Sequence, residues 1–286
     1  HTYSISPSNA FVVTHPKPRE VFAADFRDRI VHHWIALRIE PILMQMLIPN
    51  TFSCIKGRGT LAMQKAVSNA IQANNGLYIC KIDIEGFFNS ISRMRLWQKM
   101  ESLIMQYYQG GDKDDLLWLV CETVMNNPAN DCIIKGDKKL WRKIPARKSL
   151  FNSNGKGIAI GNLVSQLYAN YYMNDIDHYL NGVMSFYCRY VDDMIMIADK
   201  QTILKQLPIV RDMLADIDLT LHKRKFYMQP IKHGVDACGM VCKGNRIYIR
   251  GSTLKRAVKK AELCNINCYL GMLKHGNNFK NRLRLV

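Results

Sequence analysis

Two adjacent acidic residues, Asp192 and Asp193, join two short apolar runs that read as strands, 186–190 and 194–197. A tight turn between apolar strands normally contains Gly or Asn, because these residues relieve backbone strain. Neighbouring carboxylates in such a turn repel each other. A cation removes the conflict, since Mg²⁺ prefers carboxylate oxygens and leaves room for substrate phosphates. An isolated acidic pair is more often an exposed turn, so a metal site needs a second acidic element.

That second element is Asp83, which directly follows the apolar run 77–82. Two strand ends that carry carboxylates can converge on one pair of metal ions, the arrangement that supports in-line phosphoryl transfer. One ion lowers the pKa of an attacking 3′-hydroxyl, and the other neutralises charge on the pyrophosphate leaving group. Asp83 alone could be a strand cap. Together with Asp192 it favours a phosphoryl-transfer site.

The charge balance indicates a polyanionic partner. Lys and Arg number 40 against 23 Asp and Glu, which gives a formal net charge of +17. Nucleic acid is the commonest partner for such a chain, although a merely basic soluble protein is the alternative. The longest uncharged run, 157–174, contains Asn162, Ser165, Gln166 and Asn170, which are costly in lipid. We therefore expect no membrane-spanning segment.

The nine cysteines are an odd number and lie mostly in apolar stretches, which is typical of reduced thiols in a cytoplasmic protein. Two pairs, Cys238/Cys242 and Cys264/Cys268, have a spacing that invites a zinc interpretation. In a strand, residues four apart lie roughly 13 Å from each other, too far to share one ion. The second pair lacks further ligands at suitable spacing. Core thiols are the favoured interpretation of both pairs.

Apolar periodicity and turn residues divide the chain into predicted elements. Helices are predicted at 25–46, 60–74, 94–108, 116–125, 164–180 and 206–217, and from residue 252 onward. Strands are predicted near residue 11, before a basic turn at 15–19, at 77–82, 186–190 and 194–197, near Leu219, and as a hairpin over 239–249. Helices and strands that alternate irregularly are typical of an α+β fold.

Seven sequence blocks, in order along the chain, resemble those of a bacterial reverse transcriptase. The catalytic blocks are Asp83 to Phe88 (DIEGFF) and Tyr190 to Asp193 (YVDD), with Gly157 to Gln166 (GIAIGNLVSQ) between them. The remaining blocks are Lys17 to Arg19, Arg27 to Arg29, Leu221 to Lys225 and Gly234 to Asp236. The resemblance implies a right-hand polymerase with an antiparallel palm sheet: fingers over 1–75, palm over 76–250 and thumb over 251–286.

The resemblance also implies roles for individual catalytic residues. Asp83 and Asp192 would be the principal ligands of two Mg²⁺ ions, or of Mn²⁺, with Asp193 supporting them. The metal ligand set would include Ile84, which follows Asp83. Lys225 would lie near the pyrophosphate and could protonate it, although two other basic residues stand beside it.

The incoming nucleotide would be bound by a second group of residues. Lys17 and Arg19 would hold its triphosphate by charge and bidentate geometry, with a solvated basic turn as the alternative. Phe88 would be the gate that excludes a 2′-hydroxyl, whereas its neighbour Phe87 reads better as a core aromatic. The remaining predicted contacts to the nucleotide are Ile84, Phe87, Ile160, Gly161 and Gln166.

Two of these positions depart from most reverse transcriptases. Gln166 stands where most have a proline, and Ile160 where many have a glutamine. This combination resembles the enzymes of diversity-generating retroelements, which copy a template-repeat RNA with frequent errors at adenines and work with a small helical accessory protein. The tail from Tyr269 to His275 resembles the thumb of the same group. Drift within a retron-like or intron-like enzyme is the alternative.

Basic segments supply candidate contacts to RNA. Residues 135–148 contain seven basic residues and one acidic residue, and they read as an exposed basic arm in which Trp141 could stack on a base. A solvated loop is the alternative. The tail helix places several basic residues on neighbouring faces, as a thumb helix along a duplex requires. The predicted nucleic-acid contacts are Lys56, Arg58, Arg142, Lys143, Lys255, Arg256, Lys259 and Lys260.

The sequence therefore predicts an RNA-directed DNA polymerase whose partners are template RNA, a DNA or RNA primer, deoxynucleotides and a helical accessory protein. An RNA-dependent RNA polymerase is a competing interpretation, but such enzymes place a second Asp near position 88, where this chain has Phe88. A catalytically silent, maturase-like RNA-binding scaffold is the second alternative. Retention of all three acidic residues argues against it, since an inactive site has no need of clustered carboxylates.

Overall fold

The computed structural model describes residues 2–14, 17–260 and 266–277, with only the backbone for Lys260 and Met272. Ten strands are assigned in this part of the chain: β1 Ser8–Val13, β2 Arg19–Ala23, β3 Tyr78–Asp83, β4 Cys132–Ile134, β5 Phe186–Tyr190, β6 Asp193–Ala198, β7 Tyr227–Pro230, β8 Val235–Ala237, β9 Met240–Lys243 and β10 Arg246–Ile249. The helices are α1 Phe26–Met46, α2 Thr60–Ala73, α3 Phe87–Ser90, α4 Arg93–Tyr107, α5 Lys113–Met125, α6 Leu163–Tyr172, α7 Asn174–Val183, α8 Lys200–Asp216, α9 Gly251–Lys260 and α10 Ile266–Lys274.

Two compact units share these elements. The first contains the chain up to Leu47, Ile84–Ile176 and Arg211–Leu221. The second contains Ile48–Asp83, Asp177–Val210 and the described residues from His222 onward. Helices mixed with antiparallel sheets confirm the α+β prediction. Within the described residues, no helix is both long and apolar enough to span a bilayer.

The first unit combines helices with a small sheet. Its strands are ordered β2-β1-β4, with β1 antiparallel to β2 and parallel to β4. Helix α1 packs on α5 and α6, and α4 packs on α5 and α6. Three 3₁₀ turns follow β4: Lys138–Lys143 and Ala146–Lys148 lie within the predicted basic arm, and Leu150–Asn152 comes after it.

The second unit is built around a four-stranded antiparallel sheet of order β5-β6-β3-β7. Apolar side chains of this sheet, including Ile79, Ile195 and Ile197, are fully buried with Met63 and Val67 of α2. A second sheet, β10-β9-β8, packs on α2 as well. The predicted hairpin over 239–249 is confirmed as β9 and β10.

Several sequence-based assignments require correction. Leu219 lies in no strand, because Asp218 just before it has a positive φ of 62° in the turn after α8. The pairing nearby is limited to an isolated bridge between Leu221 and Ile84. The single helix predicted over 164–180 is interrupted at Met173. The basic turn leads into β2, a strand that was not predicted. This segment is a strand because it pairs with β1.

The cysteines that the structure describes are free thiols, but Cys268 is exposed, so the core interpretation is wrong for this member of the second pair. Cys242 lies in β9, but Cys238 lies in the turn before it with a φ of 51°, and not in a strand. Burial raises the pKa of both thiols to about 12, so they are protonated at neutral pH. Cys264 lies outside the described residues, as do His15 and Pro16 of the predicted basic turn.

Candidate active site

The strand register brings the predicted catalytic residues to one end of the four-stranded sheet. Asp83, the last residue of β3, is the direct cross-strand partner of Asp193, the first residue of β6. Tyr190 of β5 also pairs with Asp193, so Val191 and Asp192 form a two-residue turn between β5 and β6. Asp192 therefore lies on a turn beside the end of β3. All three carboxylates therefore lie at the same end of the sheet.

The turn itself is strained. Val191 adopts a φ of 57°, a conformation that is unfavourable for a β-branched residue. Arg189 holds this turn, since its Nη1 donates to the Val191 carbonyl at 3.0 Å. Backbone strain at such a position persists only where the surrounding structure fixes it.

Arg189 is held in turn by a buried network. Its side chain and that of Asp177 are both fully buried, and Nη2 donates to Asp177 Oδ2 at 2.6 Å while Nε donates to Oδ1 at 2.8 Å. The hydroxyl of Tyr187 donates to the same carboxylate at 2.7 Å. The catalytic turn therefore rests on an ion pair inside the core.

Asp83 is a buried carboxylate, 5% exposed. Its Oδ2 accepts a hydrogen bond from Lys225 Nζ at 2.6 Å. Its Oδ1 is buried and has no hydrogen-bond partner among the described residues. A buried carboxylate oxygen without a partner is costly, and it is the kind of atom that a cation would satisfy.

Asp192 lies in an environment that disfavours its negative charge. The pKa of Asp192 is raised to about 6, chiefly by burial and then by the charges of Asp83 and Asp193, while Lys225 acts to lower it. Carboxylates that repel one another in a partly buried site are stabilised by a bound cation. The donor set of Asp83 and Asp192 therefore fits a hard divalent metal ion.

Asp193 is bound to a lysine that the sequence analysis did not identify. Lys81 Nζ donates to Asp193 Oδ2 at 2.9 Å and to the Asp236 carbonyl at 3.1 Å. Burial acts to lower the pKa of Lys81, but the charge and hydrogen bond of Asp193 outweigh it, so this pKa is raised. In the part of the chain that the structure describes, no group of three or more His, Cys, Asp or Glu side chains is arranged to hold a metal ion.

The turn after Leu221 positions Lys225. His222 N donates to the main-chain carbonyl of Asp83 at 2.8 Å, and Lys225 N donates to the His222 carbonyl at 3.2 Å. The Lys225 side chain is 44% exposed. Lys225 is thus an exposed ammonium in contact with Asp83, and its role toward the pyrophosphate stays a prediction.

The two phenylalanines after Asp83 differ in burial. Gly86 adopts a left-handed conformation, φ 59° and ψ 37°, and starts the short helix α3. Phe87 is 3% exposed, whereas Phe88 is half-buried, and their ring centroids lie 5.5 Å apart. The burial of Phe87 agrees with the core interpretation. Phe88 retains the accessible surface that a sugar contact requires.

The block 157–166 lies beside both α3 and β2 in the first unit. Ile158 N donates to the Phe88 carbonyl at 2.9 Å, and Phe22 N donates to the Ile160 carbonyl at 3.3 Å. Gly161 has a φ of 114°, and a Cβ at this position would lie 3.0 Å from Val21 Cγ1, so glycine is required there. The structure thus brings Phe88, Ile160 and the strand that begins at Arg19 together. Gln166 lies in α6, and Ile84 is buried.

Phosphate binding by the basic residues chosen from the sequence stays a prediction. The structure shows these of them as exposed: Lys17, Arg19, Lys56, Arg142 and Lys143. Arg58 is half-buried, and its Nη1 donates to the Ile48 carbonyl at 2.8 Å and to the Thr51 carbonyl at 3.1 Å, which gives it a structural role as well. The exposed basic residues of α9 include Lys255, Arg256 and Lys259, while the side chain of Lys260 lies outside the described part.

Trp141 does not present a free ring to RNA. It packs against the core of the first unit, with its ring centroid 5.3 Å from that of Phe151 and 6.4 Å from that of Phe22. Its Nε1 is buried. Trp141 therefore attaches the basic arm to the sheet instead of serving as the stacking ring predicted from sequence.

Sequence reasoning missed Lys81, Arg189 and Asp177. A signal was available for two of them, because Arg189 is the only charge of β5 and Lys81 interrupts the apolar residues that precede Asp83 in β3. A buried charge requires a partner or a function. Asp177 carried no comparable signal, since an acidic residue in a polar helix is ordinary.

Comparison with known proteins identifies a family. The model of the family described as "Reverse transcriptase (RNA-dependent DNA polymerase)" matches residues 15–241, well over half of the chain. No similar sequence was found among curated proteins. The matched region contains every predicted catalytic residue.

Solved structures show the same fold. Apo telomerase from Candida tropicalis superposes with a TM-score of 0.60 at 11% identity, covering 96% of this chain and 52% of the telomerase chain. Telomerase from Candida albicans, in complex with a TWJ fragment of telomeric RNA, gives a TM-score of 0.59 at 13% identity, covering 95% and 52%. The chain therefore spans about half the length of these telomerase chains.

Proposed function

Because the chain belongs to the reverse transcriptase family, whose members are RNA-directed DNA polymerases, we propose that it copies an RNA template into DNA at the site formed by Asp83 and Asp192. The observation that carries this proposal is that these two carboxylates lie together at one end of the sheet. One oxygen of Asp83 is buried there and has no hydrogen-bond partner among the described residues. The direct test is extension of a primer on an RNA template by the purified chain with deoxynucleotides and Mg²⁺.

Divalent metal ions serve the family in general, and we propose two Mg²⁺ ions here, with Mn²⁺ as a substitute. Asp83 and Asp192 would hold them, with Ile84 completing the predicted set. An ion of this kind would lower the pKa of the primer 3′-hydroxyl and neutralise charge on the departing pyrophosphate. The hydroxyl would lose its proton to solvent as its oxygen attacks the α-phosphorus, and the bond from this phosphorus to pyrophosphate would break.

Lys225 would provide a positive charge next to the departing pyrophosphate. Its ammonium is exposed and contacts Asp83 through one hydrogen bond of 2.6 Å, so it can exchange that contact for a phosphate oxygen. It could then donate a proton to the leaving group. Lys17 and Arg19, at the start of β2, would bind the triphosphate.

Sugar selection gives the first testable consequence. We expect Phe88→Ala to increase ribonucleotide incorporation, because a smaller side chain admits a 2′-hydroxyl. The measurement is the ratio of ribonucleotide to deoxynucleotide incorporation in single-nucleotide extension. Phe87→Ala is the matched control: it should leave the ratio unchanged and lower the free energy of unfolding by ~3–5 kcal/mol through a core cavity. The reverse pattern would place the gate at Phe87.

We further propose that the RNA copied is a template repeat of a diversity-generating retroelement, with a helical accessory protein as partner. Support comes from positions 160 and 166, where Ile160 and Gln166 resemble the residues of reverse transcriptases from diversity-generating retroelements. A retron-like or intron-like enzyme is the alternative. An imperfect repeat pair near the gene, differing at adenines, supports the retroelement, and a conventional retron or intron RNA beside the gene would contradict it.

Fidelity at template adenines tests the role of Ile160. An isoleucine offers the incoming nucleotide only apolar contact, so a poorly placed nucleotide loses little relative to a correct one. We expect Ile160→Gln to reduce misincorporation opposite adenine more than it reduces correct synthesis. Sequencing of DNA made on one adenine-containing RNA by both enzymes gives the comparison. An unchanged adenine error rate with activity retained would exclude Ile160 as the source of errors.

A further inference from the structure

Lys81 is a buried cation at the centre of the candidate active site. It lies in β3, two residues before Asp83, and its side chain is 12% exposed. Its cross-strand partners are Ile195 of β6, which is fully buried, and Tyr227 of β7. An ammonium in such surroundings is stable only when it is paired and hydrogen-bonded.

Two acceptors hold the Lys81 ammonium in place. Asp193 Oδ2 accepts at 2.9 Å and the Asp236 carbonyl at 3.1 Å. Asp236 is itself fixed, because its carboxylate accepts from Arg250 Nη2 at 2.6 Å and from Gly239 N at 3.1 Å. Lys81 is thus anchored at two points on separate elements.

The other lysine of the site differs in each of these respects. Lys225 is 44% exposed and reaches Asp83 from a turn, whereas Lys81 reaches Asp193 from within a strand. A cation that approaches Asp83 can displace Lys225 into solvent at small cost. A cation that recruited Asp193 would leave the Lys81 charge buried without its carboxylate, which is strongly unfavourable.

We propose that Lys81 is a positioning residue that keeps Asp193 in a neutral ion pair and out of the metal ligand set, so that Asp83 and Asp192 are the only carboxylates that bind the metal. This inference rests on the proposed function, since it concerns the same metal site. Lys81 thereby neutralises one of the three carboxylates at this end of the sheet.

The inference is tested by Mn²⁺ binding alone, measured by electron paramagnetic resonance without nucleotide or RNA. Lys81→Met removes the positive charge at nearly constant volume, so Asp193 is released and Mn²⁺ should bind about tenfold more tightly or better. Asp193→Asn leaves Lys81 unpaired beside the site and should weaken binding by a similar factor. Lys81→Arg retains the charge and is the matched control, expected within about threefold of the wild type.

The double variant Lys81→Met/Asp193→Asn decides between positioning and ligation. It removes a neutral pair, so its Mn²⁺ affinity should return to within about threefold of the wild type. If the double variant binds as weakly as Asp193→Asn, Asp193 is a ligand and the inference is wrong. An unchanged affinity in Lys81→Met would overturn it too. Should Lys81→Met not fold, Lys81→Gln carries the same expectation, because it keeps a donor for the Asp236 carbonyl.

These outcomes are separable from failure of the proposed function. Primer extension by the wild type tests whether the chain is a polymerase, and it does not depend on the pattern among the four variants. A polymerase that shows no tighter Mn²⁺ binding in Lys81→Met would refute only the role of Lys81. A wild type that fails to extend a primer, together with the predicted Mn²⁺ pattern, would refute only the polymerase.

Discussion

Asp192→Asn is expected to reduce primer extension on RNA by about 10³-fold or more, because metal-based charge stabilisation contributes several kcal/mol to the transition state. Asp83→Asn should have an effect of the same order. Both carboxylates lie at the end of β3, and the third, Asp193, is paired with Lys81. The measurement is the single-turnover rate with saturating deoxynucleotides.

Two controls separate this effect from misfolding or loss of RNA. Asp212→Asn alters an exposed carboxylate in α8 and should retain the wild-type rate. Binding of labelled RNA, measured by fluorescence anisotropy, should survive in Asp192→Asn, since phosphate contacts come from exposed cations. Near-normal extension by Asp192→Asn would refute the metal assignment.

The second large effect is on stability. Replacing Asp177 by Asn should lower the free energy of unfolding by ~3–5 kcal/mol, because the fully buried Arg189 would lose its charged partner. Urea unfolding followed by circular dichroism gives the measurement. The turn at Val191 should lose its support as well, so residual activity should fall more than the folded fraction does.

An exposed ion pair provides the matched comparison. Lys99 and Asp175 contact each other at 2.6 Å, with Asp175 75% exposed, and Asp175→Asn should cost no more than ~1 kcal/mol. The double variant Asp177→Leu/Arg189→Met removes both buried charges and should be more stable than Asp177→Asn alone. Equal costs for Asp177→Asn and Asp175→Asn would show that the buried pair does not support the turn.

The sequence was sufficient to predict that Asp83, Asp192 and Asp193 lie close together, because strand periodicity and an acidic turn are local patterns. It also indicated that Phe87 is a core aromatic, and Phe87 is buried. It could not predict that Lys81 pairs with Asp193, or that Arg189 pairs with Asp177, since these contacts depend on strand register and on a helix distant in sequence. A strand was wrongly expected near Leu219, because apolar composition does not reveal the left-handed turn at Asp218.

The basic arm illustrates a different limit of sequence reasoning. Composition correctly indicated an exposed segment rich in Lys and Arg. The same composition placed Trp141 among charges, although its ring packs against Phe22 and Phe151. An aromatic residue in a charged segment can face the core or the solvent, and the choice depends on a neighbouring sheet that local sequence does not reveal.

The position of β5 at one edge of the four-stranded sheet has a consequence for self-association. An edge strand exposes unpaired backbone groups on which another chain can template a further strand. Here the segment 50–52 covers that edge: Phe52 N donates to the Arg189 carbonyl at 3.0 Å, Arg189 N donates to the Asn50 carbonyl at 3.0 Å, and Asn50 Nδ2 donates to the Tyr187 carbonyl at 3.0 Å. The strand that leads into the catalytic turn is thereby closed to intermolecular pairing. Loss of this cover would expose an apolar strand and favour aggregation before it affected the chemistry.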